Sequence, residues 1–479
     1  MNAPTRRTKI VCTIGPVSST AEALDRLVQA GMDVARLNFS HGTHAEHADV
    51  IRRLREGEAT WGRTVAILQD LQGPKIRLGT FGPSGGGRVD LETGAVFTIS
   101  ARPVAGSVER ASISPPEAIA QVQVGDQILM DDGTIHLRVE AVEADAVRCR
   151  VVAGGRLSDH KGVSLPHVPL PLSCLTAKDK EDLRFGVEQG VDFIAVSFVR
   201  SAADIVEVRK YLHELGADLP IVAKLERQEV MKNLPGILTM VDAVMVARGD
   251  LGLDVPLEDV PHIQKEVIRQ ARDVKVPVIV ATQMLESMVT HLRPTRAEVS
   301  DVSTAIFDSA DAIMLSAETA SGRYPVEAVE VMARIAARAE AAVLPLERTR
   351  RRADSIGFPE AISDAAATAA RALRARAIVA FTQSGFSARL ISQERPDVPI
   401  IALTPFVEVQ RRLGLSWGVS SRLIRKVETT DEMVEEIEAT LLGEGSVRVN
   451  DIIVIISGAP MWVTGTTNLL KLHRVGERR

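Results

Sequence analysis

The stretch DFIAVSFVRSAADIVEVRKYLHELGADLPIVAKLE, residues 192–226, decides the fold. It contains two short apolar runs, DFIAVSFV (192–199) and PIVAKLE (220–226), separated by a segment with helical spacing. Runs that are apolar at successive positions are typical of parallel strands buried on both faces of a sheet. The order strand, helix, strand therefore predicts a parallel α/β sheet.

Six more runs of the same kind occur along the chain. In a typical connecting segment, SSTAEALDRLVQAG (18–31), we expect a serine to cap a helix that ends at the glycine. Eight strand–helix repeats predict a closed (β/α)8 TIM barrel. The additional runs are KIVCTI (9–14), DVARLNF (33–39), TVAILQDL (64–71), AVMVAR (243–248), PVIVATQM (277–284) and AIMLSAE (312–318).

The repeat is interrupted once, between residues 71 and 192. About 120 residues there lack strand–helix alternation and carry β-branched residues, alternating polarity and turn glycines instead. This pattern predicts an inserted small β-barrel domain at residues 73–163. It is clearest in FTIS (97–100), QILMDDGTIHLRVEAV (127–142) and AVRCRVVAGG (146–155).

A second α/β unit follows the charged stretch LERTRRRADS (346–355), which is typical of a linker. Four or five strands remain, too few for a barrel, so we expect an open sheet with helices on both faces. The predicted domains are the catalytic barrel at 1–72 and 164–345, the insertion at 73–163 and the C-terminal α/β domain at 346–479. The clearest strands of the last domain are AIVAF (377–381), PIIAL (399–403), GVSSRLI (418–424) and DIIVIIS (451–457).

Composition excludes several classes of function. The net charge is −5, from 57 basic and 62 acidic residues, which argues against a nucleic-acid or anionic-membrane partner. No run approaches the roughly 20 apolar residues needed to span a bilayer. The three cysteines are odd in number and far apart, so they form neither a disulfide framework nor a zinc pattern. We therefore expect a protein of the reducing cytoplasm.

Polar residues follow seven successive predicted barrel strands. In a TIM barrel, side chains at the carboxyl ends of the strands line the active site. One such residue alone is commonly structural, whereas the whole series predicts a site at this rim. Its members are Arg36, Asn38, Ser40, His41, Asp70, Ser197, Lys224, Glu226, Arg248, Asp250, Thr282, Gln283, Ser316 and Glu318.

Two carboxylates in this series, Glu226 and Asp250, suit one Mg²⁺ or Mn²⁺ ion. Hard oxygen donors from neighbouring strands can hold such an ion and leave positions for substrate and water. Lys224 lies two residues before Glu226, so both side chains leave the strand on the same side. Cations at Arg36 and Arg77 add to this rim. The set predicts a site for a small, multiply anionic substrate, such as a phosphorylated carboxylate.

Other familiar chemistries lack support in the sequence. The histidines His41, His44 and His47 lie in SHGTHAEH (40–47), which is typical of a helix start, and we interpret His44 and His47 as solvated rather than zinc-binding. The chain contains no Gly-x4-Gly-Lys-Ser/Thr loop, which excludes ATP binding of the P-loop type.

The residues that line this rim resemble the pyruvate kinase family. The resemblance is in order, at family spacing, and extends essentially from end to end. It implies a barrel, a β-domain inserted after the third strand that closes as a lid, and a C-terminal regulatory α/β domain. The segments that carry it are KIVCTIGP (9–16), ARLNFSHG (35–42), KLE (224–226), ARGDLG (247–252), ATQMLESM (281–288), RPTRAEVSDV (293–302) and MLSAETA (314–320).

The resemblance implies phosphoryl transfer from phosphoenolpyruvate to ADP, giving pyruvate and ATP. Glu226 and Asp250 correspond to the ligands of the divalent metal, while Arg36 and Lys224 correspond to contacts of the phosphoryl group. The remaining correspondences are Gly249, Asp250 and Thr282 for the substrate carboxylate, Ser197 for substrate binding, Thr282 for the proton relay, and His41, Arg77 and Lys161 for the nucleotide side.

One departure from the family concerns the monovalent cation. Many members need K⁺ and have Asp-Thr-Lys-Gly-Pro-Glu where this chain has DLQGPK (70–75). Leu71 replaces the threonine and Lys75 replaces the glutamate, so this chain resembles a K⁺-independent subgroup. The Lys75 ammonium then supplies the charge that K⁺ supplies elsewhere. The remaining pocket positions, Asn38, Ser40 and Asp70, are kept; alternatively, Lys75 is only a solvated hinge residue.

The C-terminal domain has a candidate effector site in FTQSGFSARL (381–390). Hydroxyls and free amides at a helix start suit a phosphate, and an ordinary helix cap explains the same residues without any ligand. Fructose 1,6-bisphosphate, AMP and a sugar monophosphate all remain open as effectors, and family members are usually homotetramers. The residues concerned are Thr382, Ser384, Gly385 and Ser387.

Two further interpretations of the barrel stay open. A metal-dependent lyase acting on pyruvate or oxaloacetate could use the same Lys, Glu and Asp cluster, but it would need neither the β-insertion nor Arg77 and Lys161. An inactive regulatory relative would lack residues of the catalytic set. All four residues of that set are present, which argues against the inactive relative; they are Lys224, Glu226, Asp250 and Thr282.

Overall fold

Strands account for most of the buried framework in the computed structural model, which describes residues 6–82, 87–170, 172–342, 357–460, 463 and 465–477. In chain order they are β1 (Lys9–Ile14), β2 (Val34–Asn38), β3 (Ala66–Asp70), β4 (Arg77–Leu78), β5 (Arg88–Leu91), β6 (Val96–Ser100), β7 (Arg110–Ser114), β8 (Gln127–Met130), β9 (Ile135–Val142), β10 (Ala146–Ala153), β11 (Gly155–Ser158), β12 (Val163–Ser164), β13 (Phe193–Val196), β14 (Ile221–Leu225), β15 (Ala243–Ala247), β16 (Val278–Ala281), β17 (Ala312–Leu315), β18 (Ala377–Phe381), β19 (Ile400–Thr404), β20 (Val419–Leu423), β21 (Ile452–Gly458) and β22 (Thr467–Arg474).

Helices connect the strands of the barrel and of the C-terminal sheet. They are α1 (Ala21–Ala30), α2 (His44–Trp61), α3 (Ala177–Gln189), α4 (Ala202–Glu214), α5 (Glu229–Leu238), α6 (Arg248–Asp254), α7 (Val260–Asp273), α8 (Arg296–Phe307), α9 (Ala317–Ala320), α10 (Pro325–Ala342), α11 (Phe358–Ala372), α12 (Phe386–Gln393), α13 (Val407–Arg412) and α14 (Thr430–Gly443). No helix of the described ranges is long and apolar enough to cross a membrane.

The barrel closes in the order β1-β17-β16-β15-β14-β13-β3-β2. Its strands pair in parallel, as in the register that sets Lys224 beside Met245 across β14 and β15. All five residues of β14 and all five of β15 are buried, because helices cover the outer faces of these strands. The predicted closed barrel is confirmed, and so are the eight runs that form it.

Local capping residues explain where the barrel helices begin. The Thr43 and Glu46 side chains form a capping box at the start of α2, as the helix-start pattern there predicts. At α1 the prediction of a serine cap is wrong. The Thr20 hydroxyl accepts the Ala23 N–H instead, because Thr20 stands directly before the first helical residue, whereas the two serines lie farther out.

The insertion after β3 is a β-domain with its own core. A seven-stranded sheet has the order β12-β8-β9-β10-β6-β7-β4, and β11 pairs with β5 in a separate ribbon. Phe97, Ile128, Leu137 and Cys149 are fully or almost fully buried in its core. The sheet is nearly closed and barrel-like, as the sequence predicts, and the boundaries at 73 and 163 stay predictions.

The C-terminal sheet is open and has the order β20-β19-β18-β21-β22. The four strands identified in the sequence run parallel, and β22 adds an antiparallel edge beside β21. Two apolar clusters cover its two faces, one around Ile378 and one around Val379, as expected for an open sheet covered on both sides. The predicted boundary at 345/346 and its linker lie outside the described residues.

Candidate active site

The Lys224 ammonium is the centre of a buried polar cluster at the end of β14. Its Nζ atom lies 2.8 Å from Glu226 Oε1 and 3.3 Å from Asp70 Oδ1, and it donates a hydrogen bond of 2.7 Å to Ser197 Oγ. These oxygens come from the residue directly after β14, from the last residue of β3 and from the residue directly after β13. Since β3, β13 and β14 are neighbours in the barrel, three strand ends supply one cation with its partners.

Burial dominates the electrostatics of Glu226, which is 2% exposed. It raises the pKa of this carboxyl above the usual range, and although Lys224 opposes the effect, the carboxylate of Asp250 adds to it. The Phe198 N–H donates to Glu226 Oε2 at 2.9 Å and fixes the orientation of the carboxyl group. Negative charge therefore exceeds positive charge here, as suits a site that receives a cation.

Asp250 lies in the first turn of α6, which begins directly after β15. Asp250 and Glu226 line a cavity together with Lys75, Asp132 and Gly133, the last two from the inserted domain. Two carboxylates fit a hard divalent cation such as Mg²⁺ or Mn²⁺. No cluster of three or more His, Cys, Asp or Glu side chains that could hold a metal occurs in the part of the chain that the structure describes. A hard cation held by only two carboxylates would keep positions open for substrate and water.

Backbone conformations that most residues avoid occur at two strand ends. Phe198 follows β13 with φ of 57°, while Thr282 and Gln283 follow β16 with φ of 68° and 54°. A β-branched residue such as Thr282 rarely adopts positive φ, so the surrounding structure must impose it. Such strain is concentrated at functional sites. The Thr282 hydroxyl donates to the Ala281 carbonyl at 2.6 Å.

Arg36, at the third position of β2, belongs to a second set of contacts. It is 9% exposed, and its Nη1 donates to Thr13 Oγ1 at 2.9 Å. Beyond β2, the Asn38 side chain accepts the Ser40 N–H at 3.1 Å and the Asn38 carbonyl accepts the His41 N–H at 3.2 Å. This turn presents its polar groups directly after the strand.

Arg77 and Lys161 lie in the inserted domain, on segments that pair at Arg77 and Gly162. The Arg77 guanidinium donates to the His160 carbonyl at 3.0 Å, and Lys161 Nζ lies 2.5 Å from Asp131 Oδ1. Both cations are at least partly accessible, since the Lys161 side chain is 39% exposed. Neighbouring segments of one domain therefore carry both predicted nucleotide-side cations.

Comparisons with known proteins agree along the whole chain. The family model "Pyruvate kinase, barrel domain" matches residues 5–329, and "Pyruvate kinase, alpha/beta domain" matches residues 360–473. A pyruvate kinase of Mycobacterium tuberculosis is 44% identical over 476 residues, which cover 99% of each chain. The pyruvate kinase of Geobacillus stearothermophilus is 46% identical over 479 residues, covering 98% of this chain and 81% of that protein.

Solved structures agree as well. The crystal structure of a pyruvate kinase from Cryptosporidium parvum matches with a TM-score of 0.90 and 33% identity, covering 98% of this chain and 96% of that one. The chain belongs to the pyruvate kinase family. It is therefore an enzyme of the phosphotransferase class, as the sequence predicts.

In this pyruvate kinase family member, Asp70 and Leu71 take part in the cluster around Lys224. Asp70 faces the ammonium, and the Leu71 carbonyl accepts a hydrogen bond of 2.8 Å from Ser197 Oγ, the same hydroxyl that Lys224 contacts. The sequence placed Asp70 and Leu71 in a monovalent-cation pocket. Lys75 follows in a tight turn, where its N–H donates to the Gly73 carbonyl at 2.8 Å.

The proposed effector loop forms a small cavity in the C-terminal domain. The Thr382 hydroxyl accepts the Gly385 N–H at 3.0 Å, and the hydroxyls of Ser387 and Thr467 lie 2.6 Å apart. Ser384 also lines this cavity. The described lining includes no lysine or arginine, so hydroxyl and amide groups dominate its chemistry.

Glu318 is a polar residue whose role the sequence left unassigned beyond its place at a strand end. It is fully buried, and its two carboxylate oxygens accept the Leu285 N–H at 3.1 Å and the Ser316 N–H at 2.6 Å. It thereby ties the segment after Thr282 and Gln283 to the end of β17. A carboxylate among buried strand-end residues was the available signal, but no rule of spacing connects it to the Leu285 N–H, 33 residues away.

Proposed function

We propose that this enzyme transfers the phosphoryl group of phosphoenolpyruvate to ADP, giving pyruvate and ATP in the last step of glycolysis, with a divalent metal. The observation that carries the proposal is the buried Lys224 ammonium beside Glu226, whose carboxyl has a raised pKa next to Asp250. A cation and a second carboxylate that both act on one buried carboxyl suit a substrate that carries phosphate and carboxylate groups.

Glu226 and Asp250 would hold Mg²⁺ or Mn²⁺, which when bound supplies positive charge against the phosphate and the developing enolate. Lys224 would stabilise the transferring group and the enolate oxygen, and its contacts to Asp70 and Ser197 keep the ammonium in place. Phosphoryl transfer depends on positioning and charge neutralisation, so no covalent intermediate on the protein is required.

The substrate's other groups would meet residues from neighbouring strands. The amides of Gly249 and Asp250, in the first turn of α6, and the Thr282 hydroxyl would bind the carboxylate. Thr282 would also relay a proton to the enolate; its hydroxyl donates to the Ala281 carbonyl at 2.6 Å. Arg36 would contact the phosphoryl group.

The nucleotide would bind to His41, Arg77 and Lys161. Arg77 and Lys161 belong to the inserted domain, so closure of that domain as a lid would bring cations to the ADP phosphates and exclude water. The Lys161–Asp131 ion pair must then open, because one ammonium cannot fully serve both partners.

An assay of ATP formation from phosphoenolpyruvate and ADP tests the proposal. We expect turnover with Mg²⁺ or Mn²⁺ and its loss with a chelator, restored by excess metal. A Lys224→Met variant should lose on the order of 10²- to 10³-fold in kcat, the usual cost of removing one preorganised charge-stabilising group. Absence of ATP formation by the folded enzyme with both metals would refute the proposal.

We further propose that activity does not require K⁺, because the Lys75 ammonium replaces its charge. Lys75 lines the cavity that contains Glu226 and Asp250, which supports this role over that of a solvated hinge residue. Rates without any monovalent cation should equal those in K⁺, and Lys75→Glu should become K⁺-responsive. Lys210→Glu, an exposed lysine on α4, is the matched control and should remain indifferent to K⁺. Strong K⁺ activation of the parent enzyme would contradict the idea.

We also propose a phosphorylated effector at Thr382, Ser384, Gly385 and Ser387, a homotetrameric assembly and a cytoplasmic location. Support for the effector is the hydroxyl-lined cavity at the start of α12. A panel of sugar phosphates and nucleotides, assayed at subsaturating phosphoenolpyruvate, should include at least one activator. Light scattering at assay concentrations should give four times the chain mass of 51.7 kDa.

A further inference from the structure

We propose that Arg227 and Asp254 are a positioning pair that sets the separation of Glu226 and Asp250 and ties it to the segment returning from the inserted domain. Neither residue is among those assigned to substrate, nucleotide or metal. The inference rests on the proposed function, since it concerns the carboxylates that would hold the metal. Its structural basis is one buried junction just beyond β14.

Asp254 joins the end of α6 to the residues that follow Glu226. Its Oδ1 lies 3.2 Å from Arg227 Nη1, and its Oδ2 accepts the Gln228 N–H at 2.6 Å. Asp250 precedes Asp254 by four residues on α6, so the two side chains lie on one side of the helix. The junction therefore fixes the helix that carries one carboxylate against the strand end that carries the other.

Arg227 extends the junction to the inserted domain's return segment, residues 163–170. Its Nη2 donates to the Val168 carbonyl at 2.9 Å, and its Nη1 lies 3.5 Å from the Leu165 carbonyl. The side-chain oxygen of the neighbouring Gln228 accepts a hydrogen bond of 2.8 Å from Nδ1 of His167, a residue held at φ of 62°. Arg227 and Gln228, the two residues after Glu226, are thus both hydrogen-bonded to the return segment.

The inserted domain makes a second close approach to α6. Gly133 lies in the turn between β8 and β9, and a Cβ atom there would come within 2.8 Å of the Leu253 side chain. Leu253 directly precedes Asp254. Motion of the inserted domain is therefore transmitted to α6 at the same end of the helix that the ion pair holds.

Helix stability alone does not account for this pair. An aspartate in the last turn of a helix opposes the helix dipole, and α6 has only seven residues, too few to be stable without tertiary contacts. Burying both charges is costly as well, since the two side chains are 6% and 3% exposed. A pair of apolar side chains would hold the helix more simply, but it could not bind the carbonyl and amide groups of the junction.

Binding of Mn²⁺, followed by electron paramagnetic resonance of the free ion, tests the proposal without relying on turnover. Removal of residues that orient metal ligands commonly weakens metal binding about 10- to 100-fold, and we expect this for Asp254→Asn. The expected kinetic signature is a fall in kcat of similar size, with the KM for ADP changed less than about threefold, because Asp254 contacts Arg227 and Gln228 rather than the nucleotide-side cations.

Asp192→Asn is the matched control. Asp192 is also a buried carboxylate that accepts one backbone N–H, that of Ile67 at 2.7 Å, and one arginine, Arg55 at 2.8 Å. It precedes β13, at the amino end of that strand. This variant should lose stability, yet bind Mn²⁺ as tightly as the parent.

Two further variants keep the proposal testable if Asp254→Asn folds poorly. The double variant Arg227→Met and Asp254→Leu removes both charges and should fold, but its Mn²⁺ affinity should stay low. Arg227→Lys keeps the positive charge beside Asp254 but loses the forked donors of the guanidinium. Its Mn²⁺ affinity should therefore stay close to that of the parent, while hydrogen exchange in residues 163–170 becomes faster than in the parent.

Mn²⁺ affinities within twofold of the parent in both Asp254→Asn and the double variant would overturn the positioning role. An equal loss in Asp192→Asn would do the same, because it would trace the effect to general stability. If the parent binds Mn²⁺ but makes no ATP, the proposed function fails while the positioning role is still decided by the binding data.

Discussion

Two buried carboxylates of the barrel have opposite electrostatic surroundings. Asp33 stands before β2, where its oxygens accept the Ile10 N–H at 2.9 Å and lie 2.7 and 2.8 Å from two arginines, Arg6 and Arg63. Glu226 stands after β14 and has one lysine and one backbone N–H, with a second carboxylate, Asp250, acting on it.

The pKa values of the two groups move apart for this reason. Burial alone would raise the pKa of Asp33, but the neighbouring cations hold it well below its usual range. At Glu226 burial prevails and the pKa is raised. A carboxylate surrounded by more than one positively charged side chain stabilises the fold. A carboxylate whose neighbours carry too little positive charge is available to bind a cation. Glu226, whose ionised form is the less stabilised of the two, is therefore the carboxylate suited to a functional role.

Removing the acidic oxygens of the site should have the largest effect. The double variant Glu226→Gln and Asp250→Asn should lose roughly 10³-fold or more in kcat, because several kcal/mol of charge stabilisation depend on the bound metal. Mn²⁺ binding should disappear, while the urea midpoint should stay or rise since two like charges have been removed. If the double variant still bound Mn²⁺ as tightly as the parent, Glu226 would not differ from Asp33 in being available to bind a cation.

The opposite result is expected at Asp33. Asp33→Asn leaves buried arginine charge unbalanced and should cost about 3 kcal/mol in unfolding free energy, the lower end for a broken buried pair, because the Arg63 side chain is 41% exposed. Equilibrium unfolding in urea measures the cost. The kcat of the remaining folded enzyme should match the parent's, and a tenfold fall would mean that Asp33 contributes to more than stability.

At acid pH the parent and Asp33→Asn should become equally stable to unfolding. The folded pKa of Asp33 lies below its unfolded value of about 3.9, so its stabilising contribution is complete above that value and is lost as pH falls towards the folded pKa. Urea midpoints of the two proteins should therefore differ by a constant amount from pH 7 to pH 5 and converge below about pH 4. If the difference between the two urea midpoints grew as the pH fell, the pKa of Asp33 could not be lowered on folding.

The smallest effect is expected at Ser197, which supplies one of the three oxygens near Lys224. Ser197→Ala removes a hydrogen bond of 2.7 Å to the ammonium, and loss of about 1 kcal/mol should lower kcat about fivefold. Ser287→Ala is a suitable control, since that hydroxyl donates instead to Glu298 at 2.6 Å and touches neither Lys224 nor Glu226. If kcat fell equally in both variants, the hydrogen bond from Lys224 to Ser197 would have no specific role in positioning the ammonium.

The barrel and the C-terminal sheet could be predicted because their central strands are buried on both faces and appear as uninterrupted apolar runs. The edge strand β22, TNLLKLHR, was not identified, since its exposed Leu472 and the basic residues Lys471 and Arg474 resemble a helix or a loop as much as a strand. Edge strands are shaped by one neighbour and by solvent, so their sequence pattern is weak.

The strand-end positions of the proposed site residues could be predicted from the sequence, but their contacts could not. Strand-end position identified Lys224, Glu226 and Asp250, because parallel strands bring their carboxyl ends to one rim. The positive φ of Thr282 contradicts the preference of a β-branched residue and depends on the surrounding fold. The Arg227–Asp254 pair is equally hidden, since two charged residues 27 positions apart look solvated in the sequence.

Anomalous diffraction from crystals of the full chain grown with Mn²⁺ and oxalate, an analogue of the enolate product, tests the central claim most directly. We predict one strong Mn²⁺ peak bonded to the carboxylates of Glu226 and Asp250, with the Lys224 ammonium beside the bound analogue. A peak at any other residues, with those two carboxylates free of metal, would contradict the account.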